Sequence, residues 1–318
     1  MNNSLEVVVS RIDMVAEGIR HFTFVSADGK ELPGFSGGSH IVVSMPAGNR
    51  TYRNAYSLLS SPADRRNYQI AVRLQSPSRG GSRYMHENVE VGSKLRISWP
   101  VNLFSLSRLG HRHILIAGGI GITPFMSQVH DLLRMNAAFE LHYAYRSPKT
   151  AGFIEHLRSL LKDKLVCHDA SKGQNLNLQD LFSNQPLGTH VYVCGPAGMV
   201  EGVIETAKEL GWPEAHVHYE EFLAPPVGEQ FTLKLKQSEL TIDVGPEVSI
   251  LEAMEAAGVD APYLCRGGAC GRCELEVVDC DGVIEHHDHY LSDAEKRSGK
   301  KIMPCVSRAR CSVIELNI

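Results

Sequence analysis

The sequence contains no run of about 18 consecutive apolar residues, which excludes a membrane-spanning helix of ordinary length. It has no basic n-region followed by an apolar core between Met1 and Ser10, so no secretory signal is expected there and the cytoplasm is the default compartment. Internal repeats, low-complexity segments and basic stripes suited to nucleic acid are also missing. Net charge is only −4, too small to name a partner. The charge is unevenly spread, however. Residues 1–109 carry 13 Lys+Arg against 8 Asp+Glu, residues 110–224 carry 9 against 12, and residues 225–318 carry 10 against 16. The basic third could hold an anionic cofactor and the acidic third could face a basic protein surface; the plainer reading is that both are solvated faces.

With 318 residues, 43% hydrophobic and 21% charged, the chain has the length and composition of two or three globular domains. Pattern divides it into three. Residues 1–108 read as short β-rich runs between turn signals: Leu5–Val9, His21–Val25, His40–Met45, Ala55–Leu59, Tyr68–Leu74 and Lys94–Ser98. Roughly six such strands predict a small antiparallel barrel, with one short helix after Gly81 capped by Ser82. Residues 109–224 alternate strand and helix, from the apolar run His113–Ala117 through the helix Thr123–Met135, the strands Leu141–Tyr145, Leu165–His168 and Val191–Cys194, and the helix Ala197–Leu210. That alternation predicts a parallel sheet covered on both faces. Ala224-Pro-Pro-Val-Gly228 is a linker by composition. Residues 225–318 then show a hairpin (Phe231–Leu235, Leu240–Val244), a helix at Ser249–Ala257 and a closing strand at Val313–Leu316. The expected fold class is multidomain: β, then α/β, then α+β.

Eight cysteines in a long chain without a secretory signal do not suggest a disulfide framework. Four of them have a telling spacing: Cys265-x4-Cys270-x2-Cys273, then Cys305 after 31 intervening residues. This is the spacing of a plant-type [2Fe–2S] site, in which each iron takes two bridging sulfides and two cysteines. Gly267, Gly268 and Gly271 let the loop turn its N–H groups toward sulfur. A zinc site would call for two close pairs, and only one CxxC is present. A Rieske centre would need histidines in CxH and CxxH pairings, which are absent, so His286, His287 and His289 read as a solvated loop. Cys280 and Cys311 read as small core residues.

Gly118-Gly119-Ile120-Gly121-Ile122-Thr123-Pro124 follows a strand and opens a helix. Glycines permit the close approach of a dinucleotide, Thr123 could face a ring system, and Pro124 suits a first helical turn. Cys194-Gly195-Pro196 follows a later strand, and a parallel sheet puts both loops at strand carboxyl ends, where ligands bind. Cys194 has no base near it in sequence and reads as a wall of the pocket. In the first segment, Arg53-Asn54-Ala55-Tyr56-Ser57 and Arg79-Gly80-Gly81-Ser82-Arg83 combine cations, an aromatic ring, hydroxyls and a glycine turn, a set suited to a phosphate and a flat ring.

These motifs, in this order, resemble the phthalate dioxygenase reductase family across essentially the whole length. The resemblance implies an antiparallel flavin-binding β-barrel, a parallel-sheet nucleotide-binding domain and a C-terminal β-grasp plant-type ferredoxin. It also implies FMN, a [2Fe–2S] cluster held by Cys265, Cys270, Cys273 and Cys305, and NADH as donor; Arg146 and Ser147, after the second parallel strand, leave NADPH open. The family's Arg-x-Tyr-Ser flavin motif is similar to Arg53–Ser57, with one extra residue here, so Arg73 of Ala71-Val72-Arg73, or Arg79, could take the phosphate instead. Gly119, Gly121, Thr123, Pro124, Cys194, Gly195 and Pro196 match the nicotinamide loops. Glu220-x-Phe222 resembles the family's terminal aromatic beside the flavin. The residues implied nearest the chemistry are Ser57, Thr123, Cys194 and Phe222, and Arg266 and Arg272 could help dock a partner. The resemblance implies a monomeric reductase component of a two-component Rieske oxygenase. The run Asn54–Pro62 is most similar to carnitine monooxygenase reductase subunits and next to vanillate demethylase reductases. Reduction of an aromatic-acid oxygenase, or of a soluble ferredoxin or cytochrome, is the alternative.

Overall fold

The structure is a computed structural model that describes residues 4–48, 50–76, 78–222 and 226–318. Ala224 and Pro225 of the predicted linker lie outside the described residues. Contacts divide the chain into two compact units, Met1–Glu221 and Phe222–Ile318.

The first unit holds two sheets. The antiparallel one consists of β1 (Ser4–Ala16), β2 (Ile19–Ser26), β3 (Ser39–Ala47), β4 (Arg50–Ser57), β5 (Tyr68–Arg73), β6 (Lys94–Ser98) and the short β7 (Val101–Asn102). Its order is β4-β3-β6-β1-β2-β5, with β7 on β3, and the edge strands β4 and β5 come back into contact to close a barrel. Alternation builds its core: Val7 and Val9 of β1, Phe22 and Phe24 of β2, and Ile70 and Val72 of β5 are all buried. The helix α1 (Gly81–Glu87) lies where the sequence places it, but Ser82 is not its cap. Gly80 is the N-cap, at φ 120°, and the Ser82 hydroxyl turns back to Ser78 Oγ at 3.0 Å. A side chain one residue inside the helix cannot reach the first free N–H groups in the way a cap does.

The second sheet is parallel throughout: β8 (Arg112–Gly118), β9 (Ala138–Tyr145), β10 (Leu165–Asp169), β11 (Thr189–Cys194) and β12 (Val217–Glu220), in the order β10-β9-β8-β11-β12. Strands β8 and β11 are buried on both faces, as their continuous apolar runs require. The helices α2 (Thr123–Arg134), α3 (Ile154–Leu161), α4 (Leu178–Ser183) and α5 (Ala197–Glu209) connect them. The chain reverses its direction of travel across the sheet between β8 and β11, which makes that crevice the binding position of such a sheet.

The second unit has a sheet ordered β14 (Leu240–Val244), β13 (Phe231–Leu235), β19 (Val313–Leu316), β15 (Leu275–Cys280), β17 (Lys301–Ile302). Only the β13–β19 pair is parallel, and α6 (Ile250–Ala256) supplies apolar residues to the same core, giving a β-grasp. Ser249 and Glu252 form a reciprocal capping box at the start of α6. A small ladder of β16 (Val283–Glu285) with β18 (Arg308–Arg310), and the short α7 (Asp293–Ser298), complete the unit. Among the described residues no helix is long and apolar enough to cross a membrane.

Candidate functional site

Strands β8 and β11 are neighbours in register, with Ala117 opposite Cys194. Their carboxyl ends therefore bring the two predicted loops together. At Gly118 a Cβ would sit 2.7 Å from Pro196 Cδ and 3.2 Å from Gly195 Cα, and at Gly121 it would sit 2.1 Å from the Cys194 carbonyl oxygen. Glycine is thus required for the loops to touch. Gly119, at φ +55°, has open space where a Cβ would go. Residues Gly119–Ile122 form one 3-10 turn, and Pro124 falls in the first turn of α2 as its fixed φ allows. Thr123 is buried, and its hydroxyl donates to the Ile120 carbonyl at 3.0 Å, so only its lone pairs and methyl remain for a ring. Cys194 is fully buried; burial, then Glu220 and Glu221, push its thiol well above the usual range, which suits a wall and not a nucleophile.

On β4, alternation puts Tyr52, Asn54 and Tyr56 on one side and Arg53, Ala55 and Ser57 on the other. The Asn54 amide donates to Tyr56 Oη at 3.3 Å. A Cβ at Gly81 would meet Asn54 Nδ2 at 2.6 Å, and one at Gly80 would meet the Tyr52 ring at 2.3 Å. Tyr52 and Asn54 are therefore β4 residues set against the glycine turn that follows Arg79. On β5, Ala71 and Val72 are buried and Arg73 is exposed at the strand end; His86 Nε2 lies 2.8 Å from the Val72 carbonyl oxygen and ties α1 to β5. Ser57 Oγ is buried without a hydrogen-bond partner among the described residues. So is Nε2 of His40, which pairs with Ser57 across β3 and β4. Burial lowers the His40 pKa to about 4, so its imidazole is neutral. Two orphaned polar atoms in one buried spot fit the edge of a hydrogen-bonding ring such as a flavin. His40 carried no motif; its only signal was a polar residue heading an apolar strand.

In the second unit the four cysteines form two pairs. Cys265 is held down to about 5 by the hydrogen bond from Cys270 and then by backbone N–H groups, including that of Gly267 at 3.3 Å from Cys265 Sγ. Cys273 and Cys305 Sγ atoms are 3.3 Å apart, and the Cys273 thiol is lowered by Cys305. Among the described residues no three His, Cys, Asp or Glu side chains converge as a single metal ion requires. Two thiol pairs are instead what a two-iron cluster requires, since each iron takes two cysteines. Gly268 and Gly271 have positive φ, and their missing Cβ atoms are replaced by contacts with Val306 and the Tyr290 ring.

Further placements in this unit differ from expectation or extend it. Arg266 is buried, paired with Glu255 and stacked 4.0 Å over the Tyr263 ring, so it holds the loop and is not a docking residue; Arg272 is exposed. His287 and His289 are solvated, but the His286 side chain is only 9% exposed, 3.6 Å from Asp288. Asp288 accepts from Ser307 Oγ at 3.2 Å and from the Leu291 N–H at 2.8 Å, joining the covering segment to the one that carries Cys305. Buried Arg308 donates to the carbonyls of Val248, Glu229 (2.9 Å) and Gly245 (3.1 Å). Neither Asp288 nor Arg308 had a sequence signal, because their partners are distant in the chain. Cys280 and Cys311 pack against the core of this unit. Phe222, at the start of it, is 46% exposed.

Comparison with known proteins agrees with this geometry. Residues 233–310 match the 2Fe-2S iron-sulfur cluster binding domain, and residues 98–217 match the N-terminal domain of dimethylamine monooxygenase subunit DmmA-like proteins. The chain is 46% identical to the heme-dependent oxidative N-demethylase beta subunit of Ectopseudomonas mendocina, over 100% of both chains. It is 44% identical to the carnitine monooxygenase reductase subunit of Acinetobacter baumannii, over 98% of this chain and 97% of that one. Among solved structures it is similar to phthalate dioxygenase reductase, with a TM-score of 0.89 and 30% identity over 100% of this chain and 98% of that one.

Proposed function

The chain belongs to the phthalate dioxygenase reductase family, and from that premise we propose that it is the reductase component of a two-component oxygenase, fed by NADH. The observation that carries the reading is the pairing of Cys265 with Cys270 and of Cys273 with Cys305. When bound, FMN exchanges a two-electron hydride for single electrons, and the cluster is a one-electron outlet. The chain's own residues bind and orient. Gly119, Gly121 and Thr123–Pro124, with Cys194, Gly195 and Pro196, form the nicotinamide crevice. Ser57 and His40 present unpartnered polar atoms to the flavin ring, while Asn54, Tyr56, Ala71 and Val72 shape its seat. Arg53, Arg73 and Arg79, with Gly80, Gly81 and Ser82, supply the neighbourhood of its phosphate. The part of Phe222 as a shield for the ring is carried by the resemblance alone. No side chain need act as general acid or base. The three segments 1–108, 109–224 and 225–318 correspond to these three duties, in a monomer of the cytoplasm.

The oxygenase we favour attacks an N-methylated amine, carnitine or a related quaternary ammonium, through a Rieske centre, since the relatives include three carnitine monooxygenase reductase subunits. A second reading has its own support: the N-demethylase relative is heme-dependent, so the acceptor would be a haem and not a Rieske centre. Purified chain, NADH and each type of oxygenase in turn should separate them. NADH consumption coupled to substrate turnover with one type only decides the acceptor; consumption coupled to neither overturns the amine assignment.

A further inference from the structure

The helix α2 begins at the nicotinamide loop and runs against the barrel, and beside its buried apolar residues it buries three polar ones: Ser127 and Gln128 are wholly buried and Asp131 is 9% exposed. Buried polar side chains need partners, and here those of Asp131 and Ser127 include the barrel loop that leads into β3. The Gly37 N–H donates to Asp131 Oδ2 at 2.7 Å, and the Gly38 N–H donates to Ser127 Oγ at 3.1 Å. Ser127 Oγ in turn donates to the Pro124 carbonyl at 3.2 Å, and Gln128 Nε2 donates to the Phe104 carbonyl at 2.6 Å. The fit is tight on the barrel side. A Cβ at Gly37 would lie 2.6 Å from Gln128 Cα, and at Gly38, where φ is +90°, it would lie 2.1 Å from the Phe104 oxygen. The same loop reaches the flavin side within one residue: the Leu58 N–H donates to the Ser39 carbonyl at 2.8 Å, and His40 pairs with Ser57.

We propose that Gly37–Gly38 and the Ser127–Gln128–Asp131 face of α2 form a latch that sets the register between the nicotinamide loop and the flavin-facing end of β4, with Asp131 and Ser127 as positioning residues for hydride transfer. This rests on the reading of the chain as an NADH–flavin reductase. The connection runs from Leu58, the residue after Ser57, through the Ser39 carbonyl and along the backbone to Gly38, then through Ser127 Oγ to Pro124, so neither end shifts without straining the other. Hydride transfer falls steeply with small misplacement, on the order of a hundredfold for about 1 Å. Asp131 also holds Arg134 at 3.0 Å through its other oxygen, which fixes the carboxylate for the Gly37 amide.

The experiment compares full-length Asp131→Ala, Asp131→Asn and Ser127→Ala, the last removing a single atom so that folding is spared. Four quantities are read: hydrogen exchange at the Gly37 and Gly38 amides, the dissociation constant for NAD+, the flavin content, and the limiting rate of flavin reduction at saturating NADH. For Asp131→Ala and Ser127→Ala the latch predicts faster exchange at those amides, unchanged flavin content, and NAD+ affinity within about threefold, together with a limiting rate lowered about tenfold or more. Asp131→Asn, which keeps an acceptor oxygen for Gly37, restores most of that rate. Faster exchange with an unchanged limiting rate would overturn the proposal and leave a merely structural contact, and so would a loss of rate matched by an equal loss of NAD+ affinity. Failure of the wild-type flavin to be reduced by NADH at all would instead overturn the reductase reading.

Discussion

Ser57 and His40 face each other on neighbouring strands, each with a buried polar atom that no described residue satisfies. An orphaned polar atom of this kind costs about 1–3 kcal/mol, and a bound ring that hydrogen-bonds to it removes that cost. Ser57→Ala should therefore slow flavin reduction by NADH about tenfold, the equivalent of one hydrogen bond, with melting temperature unchanged or slightly raised. A stopped-flow comparison with the wild type at saturating NADH checks it; an unchanged rate would remove Ser57 from the chemistry. Ser57 and the four cluster cysteines were legible in the sequence, because a short-range motif or a ligand spacing is a local constraint. His40, Asp131, Asp288 and Arg308 were not, because what defines each is a partner brought near only by folding. Arg266 was legible as a cation but not as a buried one, since Glu255 and Tyr263 decide its place.

Among the elements, β8, β11 and β12 of the parallel sheet carry a row of buried and half-buried histidines. His190 of β11 lies 2.9 Å from His218 of β12, stacks on His216 at 4.2 Å and faces His113 of β8. Burial first, and then the neighbouring His216, His218 and His113, lower the His190 pKa to about 4; burial also lowers His113 and His218. In the unfolded chain these groups titrate near the ordinary 6.5. A depressed histidine is neutral in the fold and protonated sooner in the unfolded chain, so stability is full above about pH 6.5 and falls as pH drops toward about 4. Urea unfolding of the first unit followed at a series of pH values should show this decline setting in above the range where carboxylates titrate, and His190→Gln should flatten it. A midpoint flat between about pH 6.5 and 5 would contradict the assignment. The long elements β2, β3, β8, β11, α2 and α5 were legible from periodicity. The pieces β7, β15, β16, β17 and β18 were not; several are two or three residues long, and all are held by ladders rather than by local pattern. The strand β4 begins at Arg50, well before the predicted Ala55, because its first residues are polar yet pair residue by residue with β3.

For the molecule as a whole, three segments in sequence fold into two compact units, because one apolar core runs from the barrel into the parallel sheet and the polar face of α2 adds hydrogen bonds between them. The order of the segments was legible in the motifs; the merging of the first two was not, since it depends on a shared core and on glycine amides whose partners are distant in the chain. The last segment keeps the excess of acid, 16 Asp+Glu against 10 Lys+Arg, and Arg272 is the exposed cation in the cysteine loop. Transfer from this segment to an oxygenase should weaken as salt rises through the physiological range, where the Debye length is about 8 Å. The apparent KM for the oxygenase should move, while NADH-driven reduction of a small two-electron acceptor stays constant; equal salt dependence of both would contradict a charged docking face. The central claim is that hydride electrons leave singly through Cys265, Cys270, Cys273 and Cys305. The direct measurement is anaerobic titration of the purified protein with NADH, followed by absorbance and electron paramagnetic resonance, on the wild type and on Cys305→Ser. The account predicts flavin and [2Fe–2S] bands together in the wild type and a reduced-cluster resonance on NADH addition. In Cys305→Ser it predicts loss of that resonance while NADH still bleaches the flavin. A wild-type spectrum without the iron–sulfur band, or a variant that loses flavin reduction together with the cluster while keeping its flavin and fold, would contradict it.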